Sequence, residues 1–318
     1  MSEAPQVELD GLDPDIRRFV QSIQKAYGAY PNFDVMPLPE RRQAAEQVRA
    51  PWRKGGPPMF CSQDVNIAGL RSRIHIPTST PSLGTLLYLH GGGWTMFSID
   101  THDRLMREYA ARAGVIVVGI DYSLSPEAKF PTALNEVVAA VEWLRGEGGA
   151  YRITPSRLAM GGDSAGANLT VAAALKLREL GRPQLQAMLL NYGAFSTESS
   201  ASFTRYDGSR YMLTVDEMNY FWRNYMRNAA DLRDPLAVPY LADLRGLPPA
   251  LISIAACDIL ADGNRGMASR LQAAGVATEV QVYEGATHSF LEAVAIAPLA
   301  DRALESAARW LRSRLSAA

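Results

Sequence analysis

A serine between glycines is the first feature of this 318-residue sequence that could do chemistry. The stretch GDSAG, Gly162 to Gly166, fits the pattern G-x-S-x-G and lies between a predicted strand and an alanine-rich helical pattern. That context is typical of a nucleophile elbow, a sharp turn that presents a serine hydroxyl at the end of a strand. The pentapeptide alone is equally consistent with a serine that only caps the helix, so Ser164 needs partners elsewhere.

A serine hydroxyl is a weak nucleophile unless a general base takes its proton and a carboxylate orients that base. Of the 4 histidines in the sequence, His288 is the only one that follows Ser164. It lies in YEGATHSF, directly after a predicted strand. The order serine, acid, histidine is the one expected when a nucleophile elbow lies in a parallel sheet. We therefore predict His288 as the general base.

Two aspartates compete for the role of the acid. Asp258 ends the predicted strand ALISIAACD, whereas Asp262 comes one helical turn later. A strand terminus fixes a carboxylate better than the following helical turn does. We therefore predict Asp258 as the acid and expect Asp262 to cap the next helix or to orient a neighbour.

A run of three glycines in HGGGW, His90 to Trp94, follows another predicted strand. Such a run can turn its N–H groups toward a ligand at close range. A phosphate is the alternative ligand, but the run lacks G-x-G-x-x-G and the lysine and Ser/Thr of a P-loop. We predict an oxyanion hole, with His90 as a brace for the loop. Its donors are the amide of Ala165 and two amides, preferably the second and third, of Gly91, Gly92 and Gly93.

The elements that must position these residues alternate between short β-rich runs and longer helical patterns from Met59 onward. This alternation predicts a mostly parallel sheet of eight strands with helices on both faces. An antiparallel hairpin over residues 64–77 opens the sheet, with Gly69 near its turn. The serine, the acid and the histidine each follow a strand, so they are expected to meet at one rim.

Two segments add helical patterns without adding strands: residues 1–55 and about 195–238. Binding elements tend to lie on segments above a rigid sheet, so both are candidate lids. Ordinary surface decoration is the alternative. The prediction is an N-terminal helical cap segment over residues 1–55 and a catalytic domain over residues 56–318 that includes the insertion.

The composition of the sequence limits the classes of molecule that the protein is expected to bind. Lys and Arg number 32 against 33 Asp and Glu, so neither nucleic acid nor a membrane surface is predicted to bind. Cys61 and Cys257 lack metal-ligand spacing, so no metal site is predicted. The first residues do not resemble a secretory signal and no apolar stretch is long enough for a membrane span, so we expect a cytoplasmic protein. A homodimer through an edge strand is compatible with such a sheet.

The sequence resembles the hormone-sensitive-lipase-like esterases of the α/β-hydrolase superfamily, and among them the bacterial acetyl esterases. The resemblance is carried in family order by HGGGW, DTHDRLMREYA, DYSLSPEAKFPTALNE, GDSAGANL, PPALISIAACDILADG and GATHSF. It implies the α/β-hydrolase fold, an N-terminal helical cap, and acyl transfer through an acyl-enzyme on Ser164 with His288 as base. It also implies short acyl chains and no cofactor.

The predicted function is therefore a serine carboxylesterase that hydrolyses small esters with acyl groups from acetyl to about hexanoyl. Two alternatives are an amidase or formamidase with the same triad, and a hydrolase-fold protein that binds a small ligand without turnover. Aromatic residues near the predicted rim are candidate substrate-binding residues, although ordinary packing explains each of them equally well; they are Trp94, Tyr192 and Phe290.

Overall fold

The computed structural model describes residues 11–316, which contain an eight-stranded sheet. The strands are β1 (Cys61–Ile67), β2 (Leu70–Ile76), β3 (Thr85–Leu89), β4 (Ile116–Ile120), β5 (Leu158–Asp163), β6 (Met188–Asn191), β7 (Ala250–Cys257) and β8 (Thr278–Thr287). Their order across the sheet is β1-β2-β4-β3-β5-β6-β7-β8. Strand β2 is antiparallel to β1 and β4, and all the other pairs are parallel. The predicted α/β fold with a mostly parallel eight-stranded sheet is confirmed.

The opening hairpin is also confirmed, and it begins slightly earlier than predicted. Pairing runs from Cys61 opposite Ile76 to Ile67 opposite Leu70. The two turn residues, Ala68 and Gly69, have φ values of 52° and 91°. Positive φ at both central residues is the geometry of the tight turns that match the twist of paired strands.

Helices occupy the segments between the strands. They are α1 (Pro14–Tyr27), α2 (Leu38–Arg49), α3 (Asp103–Ala113), α4 (Thr132–Gly146), α5 (Ala165–Glu179), α6 (Ala201–Tyr206), α7 (Val215–Tyr225), α8 (Ala261–Ala273) and α9 (Pro298–Ser316). Among those within residues 11–316, none has both the length and the apolar character that a membrane-crossing helix requires.

Both faces of the sheet are buried, which explains the continuous apolar runs of its central strands. Successive strand residues point to opposite faces. Leu87 and Leu89 therefore pack with α4 and α5 on one face. Leu86 and Tyr88 pack with α1, α3 and α9 on the other. Full burial of a leucine side chain contributes about 1.5–3 kcal/mol, so this three-layer packing gives the site a rigid floor.

The two segments without strands fold as helices. Residues 14–49 contain α1 and α2, while residues 1–10 of the predicted cap lie outside the described range. The segment 195–238 contains α6 and α7, and α7 begins with a capping box between Thr214 and Glu217. The division into a cap of residues 1–55, a catalytic domain of residues 56–318 and an insertion of about 195–238 stays a prediction.

Candidate active site

Ser164 lies at the turn between β5 and α5, with φ 53° and ψ −115°. Few serines adopt a positive φ, and such strain persists only where the surroundings fix the backbone. Two backbone hydrogen bonds do so: the amide of Ser164 donates to Asn191 O at 2.9 Å, and the amide of Ala194 donates to Ser164 O at 3.2 Å. The turn is therefore the predicted nucleophile elbow in its backbone geometry.

The glycines beside the serine are required by the neighbouring strand. A Cβ atom on Gly162 or on Gly166 would overlap the carbonyl oxygen of Leu89 at the end of β3. The strand, the elbow and the first turn of α5 can therefore approach each other only without these side chains. This explains both glycines of G-x-S-x-G.

The three predicted triad residues come together at the carboxyl ends of β5, β7 and β8. His288 Nε2 lies 3.0 Å from Ser164 Oγ, and His288 Nδ1 lies 2.7 Å from Asp258 Oδ2. All three side chains are buried, and Ser164 keeps 6% and His288 7% of its surface exposed. The arrangement can move a proton from the hydroxyl to the imidazole while a carboxylate orients the ring.

The choice between the two aspartates follows from where β7 ends. Asp258 comes directly after the strand, and its second carboxylate oxygen accepts the amide hydrogen of Leu260 at 3.0 Å. Asp262 lies in the first turn of α8, where it accepts the amide hydrogen of Ser202 at 2.9 Å and pairs with Arg265. Asp262 thus holds α6 against α8, and Asp258 alone reaches the imidazole.

The electrostatics of His288 suit a general base. Burial disfavours the imidazolium, but the charge and hydrogen bond of Asp258 outweigh it, so the pKa of His288 is raised from its ordinary value. A base with a raised pKa takes the hydroxyl proton more readily. The same carboxylate stabilises the imidazolium that results.

The three glycine amides are not equivalent. The amide of Gly91 donates to Asp163 Oδ1 at 3.2 Å, so it is not available as an oxyanion donor. Including Gly91 in the predicted hole is therefore wrong, because the carboxylate next to the nucleophile uses its hydrogen. In the described part of the chain, the amides of Gly92, Gly93 and Ala165 have no acceptor.

Asp163 is a residue of the site that the sequence analysis missed. It is buried, accepts the hydroxyl hydrogen of Tyr88 at 2.8 Å, and lies 3.4 Å from His102 Nε2. Burial works against the charge on both partners, yet their mutual attraction lowers the pKa of Asp163 and raises that of His102. An acid directly before the nucleophile, within a buried strand, was the available signal.

His90 braces the loop as predicted. Its Nδ1 lies 2.8 Å from Gly91 O, and its ring stacks on Tyr122 with centroids 4.3 Å apart. Burial and the nearby His102 lower the pKa of His90 to about 4. His90 is thus neutral at pH 7, and the imidazole that contacts Ser164 Oγ is that of His288.

The predicted substrate-binding residues are all buried aromatics. Tyr192 packs edge-on against His288 and Phe290, with centroids 5.1 and 5.8 Å away. Trp94 has no exposed surface and stacks on Tyr225 at 4.3 Å in the hydrophobic core. Its side chain is therefore part of the core packing. A substrate-binding role for these residues stays a prediction.

Phe221, on α7, lies against the glycine run. A Cβ atom on Gly93 would overlap the Phe221 ring, so this ring lies directly on the glycine that carries a candidate oxyanion donor. Phe221 could not be preferred over the other aromatic residues of α7 from sequence, because a helical pattern does not show which aromatic side chain points toward the sheet.

Known proteins resemble this chain in sequence and in fold. Residues 86–292 match the family described as alpha/beta hydrolase fold. The acetyl esterase of Salmonella choleraesuis is 36% identical over 270 residues, which cover 83% of each chain. The hyperthermophilic esterase of the archaeon Pyrobaculum calidifontis superposes with a TM-score of 0.88 at 30% identity, covering 96% of this chain and 99% of that one.

A thermostable esterase from Pseudomonas putida ECU1011 superposes with a TM-score of 0.87 at 28% identity, and 99% of each chain is covered. The resemblance to hormone-sensitive-lipase-like esterases is confirmed by the matched family and by these relatives. The chain belongs to the alpha/beta hydrolase fold family, and it is a carboxylic ester hydrolase of that family.

Proposed function

We propose that this protein is a serine carboxylesterase that hydrolyses esters of short acids, from acetyl to about hexanoyl, through an acyl-enzyme intermediate. The observation that supports it most strongly is the hydrogen-bonded chain from Ser164 Oγ through His288 to Asp258, with links of 3.0 and 2.7 Å. Nucleophile, base and orienting acid are the three parts that a serine hydrolase requires.

In the first half of the reaction, Ser164 Oγ attacks the ester carbonyl while His288 Nε2 takes the hydroxyl proton. The carbonyl oxygen becomes an oxyanion that the amides of Gly92, Gly93 and Ala165 stabilise. Removal of one such donor typically lowers kcat about 10²- to 10³-fold. His288 then returns the proton to the departing alcohol oxygen, which leaves the acyl group on Ser164.

In the second half, a water molecule takes the place of the alcohol. His288 removes its proton as the water oxygen attacks the acyl carbon, and the same amides stabilise the second oxyanion. The C–O bond to Ser164 breaks, Oγ recovers the proton from His288, and the carboxylic acid leaves. Asp258 stabilises the imidazolium in both halves.

Two observations support short acyl groups. The Phe221 ring lies on Gly93 and limits the space beside the predicted oxyanion hole. The relatives that match 83% of the chain include proteins named acetyl esterase. A homodimer and a cytoplasmic location stay predictions.

A series of p-nitrophenyl esters of increasing acyl length tests the proposal. We expect the highest kcat/KM between acetate and hexanoate and loss of turnover in Ser164→Ala. Matched p-nitrophenyl esters and anilides then distinguish an esterase from an amidase with the same triad. Absence of turnover on every ester, with binding retained, would favour a ligand-binding protein.

A further inference from the structure

The loop that follows β3 carries an unusual amount of backbone strain. Its φ values are 112° at Gly92, 58° at Gly93, 56° at Trp94 and 72° at Phe97. Glycine adopts such angles freely, but Trp94 and Phe97 have side chains that disfavour them. A loop of this kind keeps its shape only where neighbouring groups hold it. We call residues 91–98 the oxyanion loop.

One face of α2 contacts this loop. Arg42, Glu46 and Arg49 are spaced four and three residues apart, so they lie on the same side of the helix. Their partners are far away in sequence and belong to the oxyanion loop or to neighbouring loops around the site. Gln43 and Gln47, on the same helix, are exposed.

Arg42 makes the largest set of contacts. Its Nε donates to Thr95 O at 2.8 Å, and its Nη2 donates to Ser125 O at 2.8 Å. The same guanidinium pairs with both carboxylate oxygens of Glu127, at 2.9 and 2.7 Å. The planar fork of arginine fixes the direction of each of these bonds. Arg42 thus ties the carbonyl of Thr95 to the loop that contains Ser125.

Glu46 and Arg49 hold the rest of the loop. Glu46 accepts the hydroxyl hydrogen of Ser98 at 2.7 Å, and the Arg49 guanidinium lies over the Phe97 ring, 5.2 Å from its centroid. Arg49 also pairs with Glu292 at 2.8 Å, and the two side chains keep only 7% and 11% of their surface exposed. Glu292 lies in the short helix that begins just after His288, so α2 contacts the base-bearing loop as well.

We propose that Arg42, Glu46 and Arg49 act together as a clamp that positions the oxyanion loop and the loop after His288 for acyl transfer. This inference rests on the proposed function, because it needs Gly92 and Gly93 to serve as oxyanion donors. Through the α2 clamp, the N-terminal segment increases the rate of the reaction in addition to covering the pocket. Arg42 is its main positioning residue.

The proposal makes a kinetic distinction. A residue that only covers the pocket affects substrate binding, and its loss raises KM. A residue that positions oxyanion donors affects the transition state, and its loss lowers kcat. A transition-state analogue that forms an oxyanion on Ser164, such as a trifluoromethyl ketone, then loses affinity in parallel with kcat/KM.

The test compares Arg42→Gln and Arg42→Lys with Gln43→Ala, a control on the exposed side of the same helix. Displacement of a reacting group by about 1 Å can cost about 100-fold in rate, so we expect kcat of Arg42→Gln to fall about 10- to 100-fold. KM should stay within about two-fold, and the trifluoromethyl ketone should lose affinity by the factor lost in kcat/KM. Arg42→Lys should be intermediate, and Gln43→Ala should match the wild type.

Either of two results would overturn the clamp: an unchanged kcat in Arg42→Gln, or a raised KM with an unchanged affinity for the trifluoromethyl ketone. If Arg42→Gln does not fold, Ser98→Ala removes the partner of Glu46 from the loop side, and the same pair of readouts decides. Ser164→Ala in the same assay keeps the two proposals apart. A Ser164→Ala protein with wild-type turnover defeats the proposed function, whereas an inactive Ser164→Ala beside a fully active Arg42→Gln defeats only the clamp.

Discussion

The carboxylate of Asp163 accepts the amide hydrogen of Gly91 at 3.2 Å, which joins the residue before the nucleophile to the first residue of the oxyanion loop. The same carboxylate binds the hydroxyl of Tyr88 and lies beside His102. One buried anion therefore fixes the glycine run relative to the elbow. Burial opposes a charge on His102, but the attraction of this carboxylate raises the pKa of that imidazole.

Asp163→Asn should lower both kcat and stability. The substitution removes the carboxylate that faces the buried His102 imidazole, and a buried polar group left without its partner typically costs about 1–3 kcal/mol of unfolding free energy. Urea unfolding measures that loss, and initial rates on p-nitrophenyl acetate measure the fall in kcat. Adding His102→Gln to Asp163→Asn should recover part of the stability. A double variant that loses the sum of the two single effects would argue against a coupled pair.

Asp258→Asn should lower kcat about 10⁴-fold while the fold is kept, as in other triads where the orienting aspartate is neutralised. The structural reason is the 2.7 Å bond to His288 Nδ1. Asp262→Asn is the matched control, because Asp262 contacts Ser202 and Arg265 and no triad residue. We expect that variant to keep its turnover. A larger loss in Asp262→Asn than in Asp258→Asn would reverse the assignment of the acid.

The pH dependence of kcat/KM should have an acid limb set by His288. The base must be neutral, and Asp258 raises its pKa above the ordinary 6.5, so activity should fall as pH drops through a value higher than 6.5. Asp258→Asn should move the limb to lower pH. The stability of the protein has the opposite pH dependence. The interaction of Asp258 with protonated His288 contributes fully to the free energy of unfolding below the unfolded-state pKa of His288, and this contribution is lost as pH rises through the folded-state pKa. An acid limb below 6.5 in the wild type would contradict the raised pKa.

Phe221→Ala and Trp94→Ala should behave differently, although both residues are aromatic and near the glycine run. Phe221 lies on Gly93, so its truncation should widen the site and shift the preferred ester toward longer acyl chains. Trp94 lies in the core against Tyr225, so its truncation should cost about 3–5 kcal/mol of stability. The p-nitrophenyl ester series and urea unfolding give the two readouts. A changed acyl profile in Trp94→Ala alone would support Trp94, and not Phe221, as the substrate-binding residue.

The parts of the site that sequence could predict are those with local signals. The elbow has glycines at fixed offsets from Ser164, and Asp258 and His288 each follow an apolar strand pattern in the expected order. Parallel strands share one carboxyl edge, so the position of each residue directly after a strand was enough to place all three at the same rim of the sheet.

The rest depends on contacts between distant segments. Arg42 meets Thr95 across 53 positions of sequence, and Asp163 meets Gly91 across 72. No periodicity or spacing encodes such pairs, so neither the contacts of α2 nor the bond between Asp163 and Gly91 could be predicted, although the second and third glycine amides were already preferred as oxyanion donors. The core position of Trp94 could not be predicted either, because it is seen only in the positive φ of 56° at this residue and in its packing on the distant Tyr225.

The acyl-enzyme intermediate tests the central claim most directly. The protein is mixed with p-nitrophenyl acetate, quenched in acid within the first turnover, digested and analysed by mass spectrometry. We expect a single acetyl group on the peptide that contains Ser164, and none on that peptide in Ser164→Ala. Rapid hydrolysis with no acetyl group on Ser164, or with turnover retained in Ser164→Ala, would contradict the proposed mechanism.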